Sequence, residues 1–175
     1  TLQGYGLTET SPVVSCNPIT DIRIETVGPP FTENQIKIAD DGEILIKGEN
    51  VMLGYWNNLE ATNEVLKPGG WLHTGDIGHF ENGYLKITDR KKDILITPGG
   101  ENISPVKIEN DLNKIDFIDQ SLVYGDGKPY LVALIVLKND RKDLKHEIIF
   151  ENIEKLNQNL SKIEKIKKFI VIKDQ

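Results

Sequence analysis

The sequence predicts an α+β protein, in which a small antiparallel β region is followed by a separate α+β unit. Three observations carry this expectation. Two tight-turn signals, Asp40-Asp41-Gly42 and Asn82-Gly83, each separate short apolar stretches, with glycine supplying the positive φ of a hairpin turn. After Arg90 the hairpin-like stretches give way to an alternation of apolar strands and helical spacing. Near the end, Leu144, Ile148 or Ile149, Ile153, Leu156, Leu160 and Ile163 recur at the period of an amphipathic helix or helix pair.

Taken in order, Ile36 to Ile38 and Glu43 to Lys47 read as two strands across the first turn. His79-Phe80 and Tyr84 to Thr88 read as two more across the second. A short apolar strand, Ile94 to Thr97, runs into Pro98-Gly99-Gly100. Ser104-Pro105 then opens a helix as N-cap and first-turn proline, with Ile108, Leu112 and Ile115 on one face. Leu131 to Leu137 is an unbroken apolar run, so it is expected at the centre of a sheet, and Phe169 to Ile172 is a last strand. The junction between the β region and the α+β unit is expected at Asp89 to Asp93.

Composition narrows the function classes. With 38% hydrophobic and 27% charged residues, the 175-residue chain falls in the ordinary globular range. One cysteine, Cys16, excludes an internal disulfide framework and suits a reducing, cytoplasmic setting, and three scattered histidines give no metal-ligand spacing. No apolar run approaches the roughly 20 residues of a bilayer span. Residues 1–137 hold 11 Lys+Arg against 20 Asp+Glu, and 138–175 hold 10 against 7. The acidic part argues against a nucleic-acid footprint. The basic end reads as the solvated face of the amphipathic helix, diluted by Glu147, Glu151, Glu154 and Glu164.

Several stretches are candidate binding elements. In Thr74-Gly75-Asp76 the glycine permits close backbone approach, and the carboxylate can accept from both hydroxyls of a vicinal diol, of which ribose is the obvious case. The alternative is an aspartate that ends a strand and caps a turn. Asp89-Arg90-Lys91-Lys92-Asp93 is equally readable as a solvated linker, and Pro98-Gly99-Gly100-Glu101-Asn102 as a hairpin turn. There is no Walker-type phosphate loop, and Gly4-Tyr5-Gly6 lacks the third glycine of a dinucleotide fingerprint.

The order of four motifs is more specific than any one of them. QGYGLTET (Gln3 to Thr10), GEILIKGENVMLGYW (Gly42 to Trp56), GWLHTGDIG (Gly70 to Gly78) and GYLKITDRKKDILITPGGENISPVKIE (Gly83 to Glu109) resemble, in sequence and spacing, the later motifs of the adenylate-forming (AMP-binding) acyl-CoA synthetase superfamily. The resemblance runs from Leu2 to about Leu137, and DRKKDILITPGGENISP looks most like the long-chain fatty acid-CoA ligases. It implies an acid-thiol ligase with ATP and CoA as substrates and Mg2+ as cofactor. A fatty carboxylate displaces pyrophosphate from ATP to give an acyl-adenylate, and the thiol of CoA then displaces AMP.

By that resemblance Tyr5 lies against the adenine, where stacking contributes on the order of 1 to 3 kcal/mol. Gln3, Gly4 and Gly6 flank it, with the two glycines keeping the backbone thin. Thr8 donates to the α-phosphate and Glu9 holds Mg2+. Asp76 and Arg90 reach the ribose, Ile87 lies beside the nucleotide, and Lys92 is the hinge position. Gly99, Gly100 and Glu101 match the loop used in the CoA half-reaction. Two family features are not visible: the Gly/Ser/Thr-rich phosphate loop and the closing lysine motif. Lys165, Lys167 and Lys168 in KIEKIKK read instead as surface lysines on a helix face. The resemblance implies that the chain is a C-terminal segment of a longer enzyme, inactive in isolation. It makes 1–88 the end of the large AMP-binding domain with its small antiparallel, β-barrel-like region, 89–93 the hinge, and 94–175 a mobile α+β C-terminal domain, truncated. The complete enzyme is expected to take fatty acid, ATP and CoA, to bind no nucleic acid, and to make peripheral contact with a membrane. A ligase that loads a carrier protein, another adenylating enzyme, and a non-catalytic binding fragment remain alternatives.

Overall fold

A computed structural model describes residues 1–172, in two compact units, Thr1–Lys92 and Asp93–Gln175. In the first unit, β1 (Gly4–Tyr5) pairs antiparallel with β2 (Ser15–Cys16), a pairing that the sequence reading missed because each strand has two residues. β3 (Gln35–Ile38) and β4 (Glu43–Lys47) form the expected hairpin in register Ile36↔Ile46. A helix that the sequence reading also missed, α1 (Leu59–Val65), starts where the Asn58 side chain accepts from the Ala61 N–H at 3.0 Å. It leads into β5 (Leu66–Lys67), β6 (Trp71–Glu81) and β7 (Tyr84–Arg90).

β6 is much longer than the His79-Phe80 stretch expected of it, and it organises the unit. Along its length it pairs with β5, β4 and β7, all antiparallel. The β6–β7 hairpin turns through Asn82 and Gly83, both with positive φ, as a tight turn requires. Between the pairs Leu45↔His73 and Glu43↔Ile77, β6 carries two more residues than β4. The bulge falls at Thr74-Gly75-Asp76, where Gly75 takes φ +72. Asp76 thus sits within a continuous strand, not at the end of one. The core beneath is formed by Tyr5, Val14, Ile44, Ile46 and Leu85.

The second unit begins with β8 (Leu95–Ile96) and β9 (Asn102–Ile103), which enclose the Pro98-Gly99-Gly100 turn as a hairpin. α2 (Pro105–Asn113) is capped as expected, the Ser104 hydroxyl accepting from the Lys107 N–H at 3.2 Å. Ile108 and Leu112 are fully buried, whereas Ile115 packs on the core from beyond the helix. β10 (Ile118–Tyr124), whose apolar residues are interrupted by Asp119-Gln120-Ser121, was not anticipated. It pairs antiparallel with β11 (Leu131–Leu137), which is central as expected.

The helical-period run proves shorter than its spacing suggests. α3 (His146–Asn159) buries Ile149, not Ile148, along with Ile153, while Leu144, Leu160 and Ile163 pack from the flanking loops. The Asn157 side chain donates to Ile166 O and accepts from Ile166 N, both at 2.9 Å, pinning the start of β12 (Ile166–Ile172) parallel to β11. Lys167 and Lys168 are exposed as expected, but on a strand and not on a helix face, whereas Lys165 is half-buried in the loop before β12. Among the described residues no helix is long and apolar enough to cross a membrane.

Candidate active site

The bulge in β6 aims the Asp76 side chain into the unit, where its carboxylate is 7% exposed. The Tyr5 hydroxyl donates to Oδ2 at 2.6 Å and Arg90 Nε to Oδ1 at 2.9 Å. Arg90 is the direct cross-strand partner of Asp76 on β7, so the hairpin register itself brings the charges together. Each carboxylate oxygen has a second lone pair, which leaves capacity for two hydroxyl donors. Burial and the bond to Asp76 push the Tyr5 phenol well above its ordinary range, so it remains a donor.

Tyr5 is held in the apolar cluster with 9% exposure. Its glycine neighbours serve the chain as well: a Cβ on Gly6 would collide with the backbone of Pro12, where the segment from Ser11 to Val14 folds back over it. Thr8 and Glu9 lie in a 3₁₀ turn at Thr8–Thr10, held by Thr10, whose hydroxyl accepts from Leu7 N at 2.8 Å and donates to Leu7 O. The Tyr55 hydroxyl donates to Glu9 Oε1 at 2.8 Å, and that bond, with burial, raises the Tyr55 phenol above its usual range. Glu9 Oε2 has no partner among the described residues. One carboxylate oxygen suits Mg2+, which is bound by one or two carboxylates plus substrate phosphates and water and not by an all-protein cage. No three-residue cluster of metal-ligating side chains occurs among the described residues.

Leu7, Glu9, Thr74, Gly75, Arg90, Lys91 and Lys92 line one cleft of about 460 Å3. Asp76 adjoins this lining through Gly75 and Arg90. The expected residues Glu9, Arg90 and Lys92 therefore share a cavity, and Tyr5 and Asp76 are joined to it by hydrogen bonds. Gln3 and Thr8 are exposed outside the lining, and Ile87 packs on the apolar cluster. Gly99, Gly100 and Glu101 belong to the second unit. There Gly100 takes φ +81, and Glu101 N donates to the Thr97 hydroxyl at 3.1 Å. This turn borders a separate pocket of about 250 Å3 that Lys128, Tyr130 and Ile163 also line.

Glu43 is the residue that the sequence reading overlooked. At the start of β4 it is 4% exposed, with Oε1 accepting from Gly75 N at 2.9 Å and Oε2 from Lys91 Nζ at 2.9 Å; His73 Nδ1 lies 3.0 Å from Oε2. Burial pushes its carboxyl up, but the bonds from Lys91, Gly75 and His73 outweigh this and bring it below its ordinary value. An acid opening a strand whose next three residues are apolar was the available signal. Lys91 also bonds Asp41 Oδ2 at 2.7 Å, whereas Lys92 makes no ion pair among the described residues.

Comparison with known proteins places this arrangement. Residues 1–56 match the model of AMP-binding enzymes, and 92–175 match the AMP-binding enzyme C-terminal domain. The chain is 46% identical over 136 residues to the long-chain-fatty-acid–CoA ligase FadD15 of Mycobacterium bovis, covering 77% of this chain and 22% of that protein. It spans only about a fifth of the length of that relative. Among solved structures, ATP-bound MatB from Rhodopseudomonas palustris superposes with a TM-score of 0.85 at 29% identity, covering 99% of this chain and 37% of that one. The O-succinylbenzoate-CoA synthetase MenE of Bacillus subtilis, in complex with AMP, gives a TM-score of 0.78 at 32% identity, covering 98% and 37%.

Proposed function

Because the chain belongs to the AMP-binding enzyme family, we propose that it supplies part of the site that activates a long-chain fatty acid with ATP. The reaction passes through an acyl-adenylate to the acyl-CoA thioester and releases AMP and pyrophosphate. Asp76 carries this reading. A buried carboxylate with one donor on each oxygen, beside a cleft that also exposes a second carboxylate and an arginine, suits a ribose diol with phosphates close by. The name of the 46%-identical relative supports a fatty acid as the acid substrate.

In this reading Asp76 accepts from the ribose hydroxyls, Arg90 reaches the same sugar while holding Asp76, and Tyr5 lies against the adenine while its hydroxyl fixes the Asp76 carboxylate. Gln3, Gly4, Gly6 and Ile87 shape the nucleotide surroundings, and Thr8 donates to the α-phosphate. Glu9 would hold Mg2+, which offsets charge on the phosphoryl oxygens when bound. Lys92 is the hinge between 1–88 and 94–175. Among the described residues its side chain makes no ion pair, while Lys91 is held by two carboxylates, so backbone rotation there breaks few bonds. Gly99, Gly100 and Glu101 serve the CoA half-reaction. A cytoplasmic setting, which suits the lone free cysteine, and peripheral membrane contact belong to the same reading.

The full-length parent is expected to convert ATP to AMP and pyrophosphate only when a fatty acid is present. Release of ADP and phosphate would overturn the reading. Proline fixes φ near −65° and removes the amide donor, so Lys92→Pro should impair pyrophosphate exchange and thioester formation from preformed acyl-adenylate unequally. Equal loss of both, with circular dichroism unchanged, would place the hinge elsewhere.

A further inference from the structure

Glu43 is nearly fully buried, yet its two oxygens are shared between two segments that matter to the cleft. Oε1 bonds the N–H of Gly75, the residue whose left-handed φ makes the bulge before Asp76. Oε2 bonds the ammonium of Lys91, the residue between Arg90 and Lys92. A buried carboxylate is costly unless every oxygen is engaged, and replacing such a group by an apolar residue is often neutral or stabilising. Packing alone therefore gives β4 no need for an acid here. We propose that Glu43 is a positioning residue: its Oε1 arm fixes the Gly75 bulge and so the presentation of Asp76, and its Oε2 arm anchors Lys91 and so the stationary end of the Lys92 pivot.

This inference rests on the hinge and ribose assignments above and adds a residue to both. Asp41 and His73 complete the anchor, Asp41 by its own bond to Lys91 at 2.7 Å and His73 at 3.0 Å from Oε2. The two arms can be cut separately. Glu43→Gln keeps an oxygen for Gly75 but loses the anionic oxygen facing Lys91, Lys91→Met cuts that arm together with the bond to Asp41, and Glu43→Ala cuts both arms of Glu43.

In the full-length protein, Glu43→Gln is expected to change the ratio of adenylation to thioester formation by about tenfold, as for loss of one charge-assisted bond, with KM for ATP within about twofold of wild type, and Lys91→Met to change the ratio in the same direction by at least as much. The double variant should be no worse than Lys91→Met alone, since that substitution already removes the bond to Glu43 along with the one to Asp41. Glu43→Ala should in addition raise KM for ATP by about tenfold. An unchanged ratio in Glu43→Gln, or additive losses in the double variant, would overturn the proposal. Amide hydrogen exchange in the same proteins reads the two arms without turnover. Glu43→Gln should speed exchange over residues 90–93 and leave Gly75 slow, and Glu43→Ala should speed both. If the parent shows no fatty-acid-dependent pyrophosphate release, the functional reading fails on its own, and the positioning role stands or falls on this exchange pattern.

Discussion

The two units bury different things. Thr1–Lys92 encloses a small apolar cluster, and around it lie Thr10, Ser15, Asn17, Thr26, Glu43, Thr62 and Asp76, all polar or charged and all buried. Asp93–Gln175 is built on a larger apolar core running from Leu95 to Ile166, and among its described residues Asn157 is the single buried polar side chain. A buried polar group must be met by a partner of fixed geometry, whereas an apolar one needs only volume and shape. The first unit thus holds its carboxylates at defined angles on a bulged strand, and the second is a conventionally packed body of helices against a sheet. The candidate nucleotide residues sit in the unit whose interior is polar, because directional bonds are what hold a site's shape.

The strongest test of this contrast is to truncate a core side chain in the second unit. Ile135 is fully buried at the centre of β11, and Ile135→Ala is expected to cost about 2 to 5 kcal/mol in urea unfolding. A cost below about 1 kcal/mol would mean that the core relaxes around the cavity.

Next in size is Asp76→Ala, which removes the acceptor of two bonds and the proposed diol contact. It should lower kcat/KM for ATP in the full-length protein by roughly 1.5 to 3 kcal/mol, or about tenfold to a hundredfold or more. A wild-type kcat/KM would remove Asp76 from the site.

The smallest effect is a difference in acid sensitivity. Glu43 and Asp41 both have carboxyls held below their ordinary values, 4.5 and 3.8. For Glu43 burial opposes the shift and the donors overcome it; for Asp41 the bond from Lys91 leads. Such groups stabilise the fold fully above the unfolded-state value, and that contribution is lost as pH falls through the depressed folded-state value. Urea midpoints taken from about pH 6 down to about pH 3 should therefore fall less steeply in Glu43→Gln than in wild type. Parallel slopes would show that Glu43 releases no stabilisation on protonation.

What the sequence by itself determined was local. The hairpin turns at Gly42 and Asn82-Gly83, the Ser104 cap with Pro105, and the central position of β11 follow from backbone preferences and unbroken apolarity within a few residues. The motif order marked Tyr5, Glu9, Asp76 and Arg90 as candidate binding residues, although nothing in their own neighbourhoods showed which would touch. Only the tertiary structure decided that Tyr5 bonds Asp76 across 71 residues of chain, and that Glu43 reaches Lys91 across 48. It also decided that His79-Phe80 belongs to an eleven-residue strand, that a two-residue bulge at Gly75 turns Asp76 inward, and that Asn157, a polar residue on the inner face of α3, ties the helix to β12. The physical reason is the range of the forces. Turn geometry and capping are fixed by adjacent peptide groups, but a buried carboxylate is stable only where distant donors converge on it, and that convergence depends on strand register.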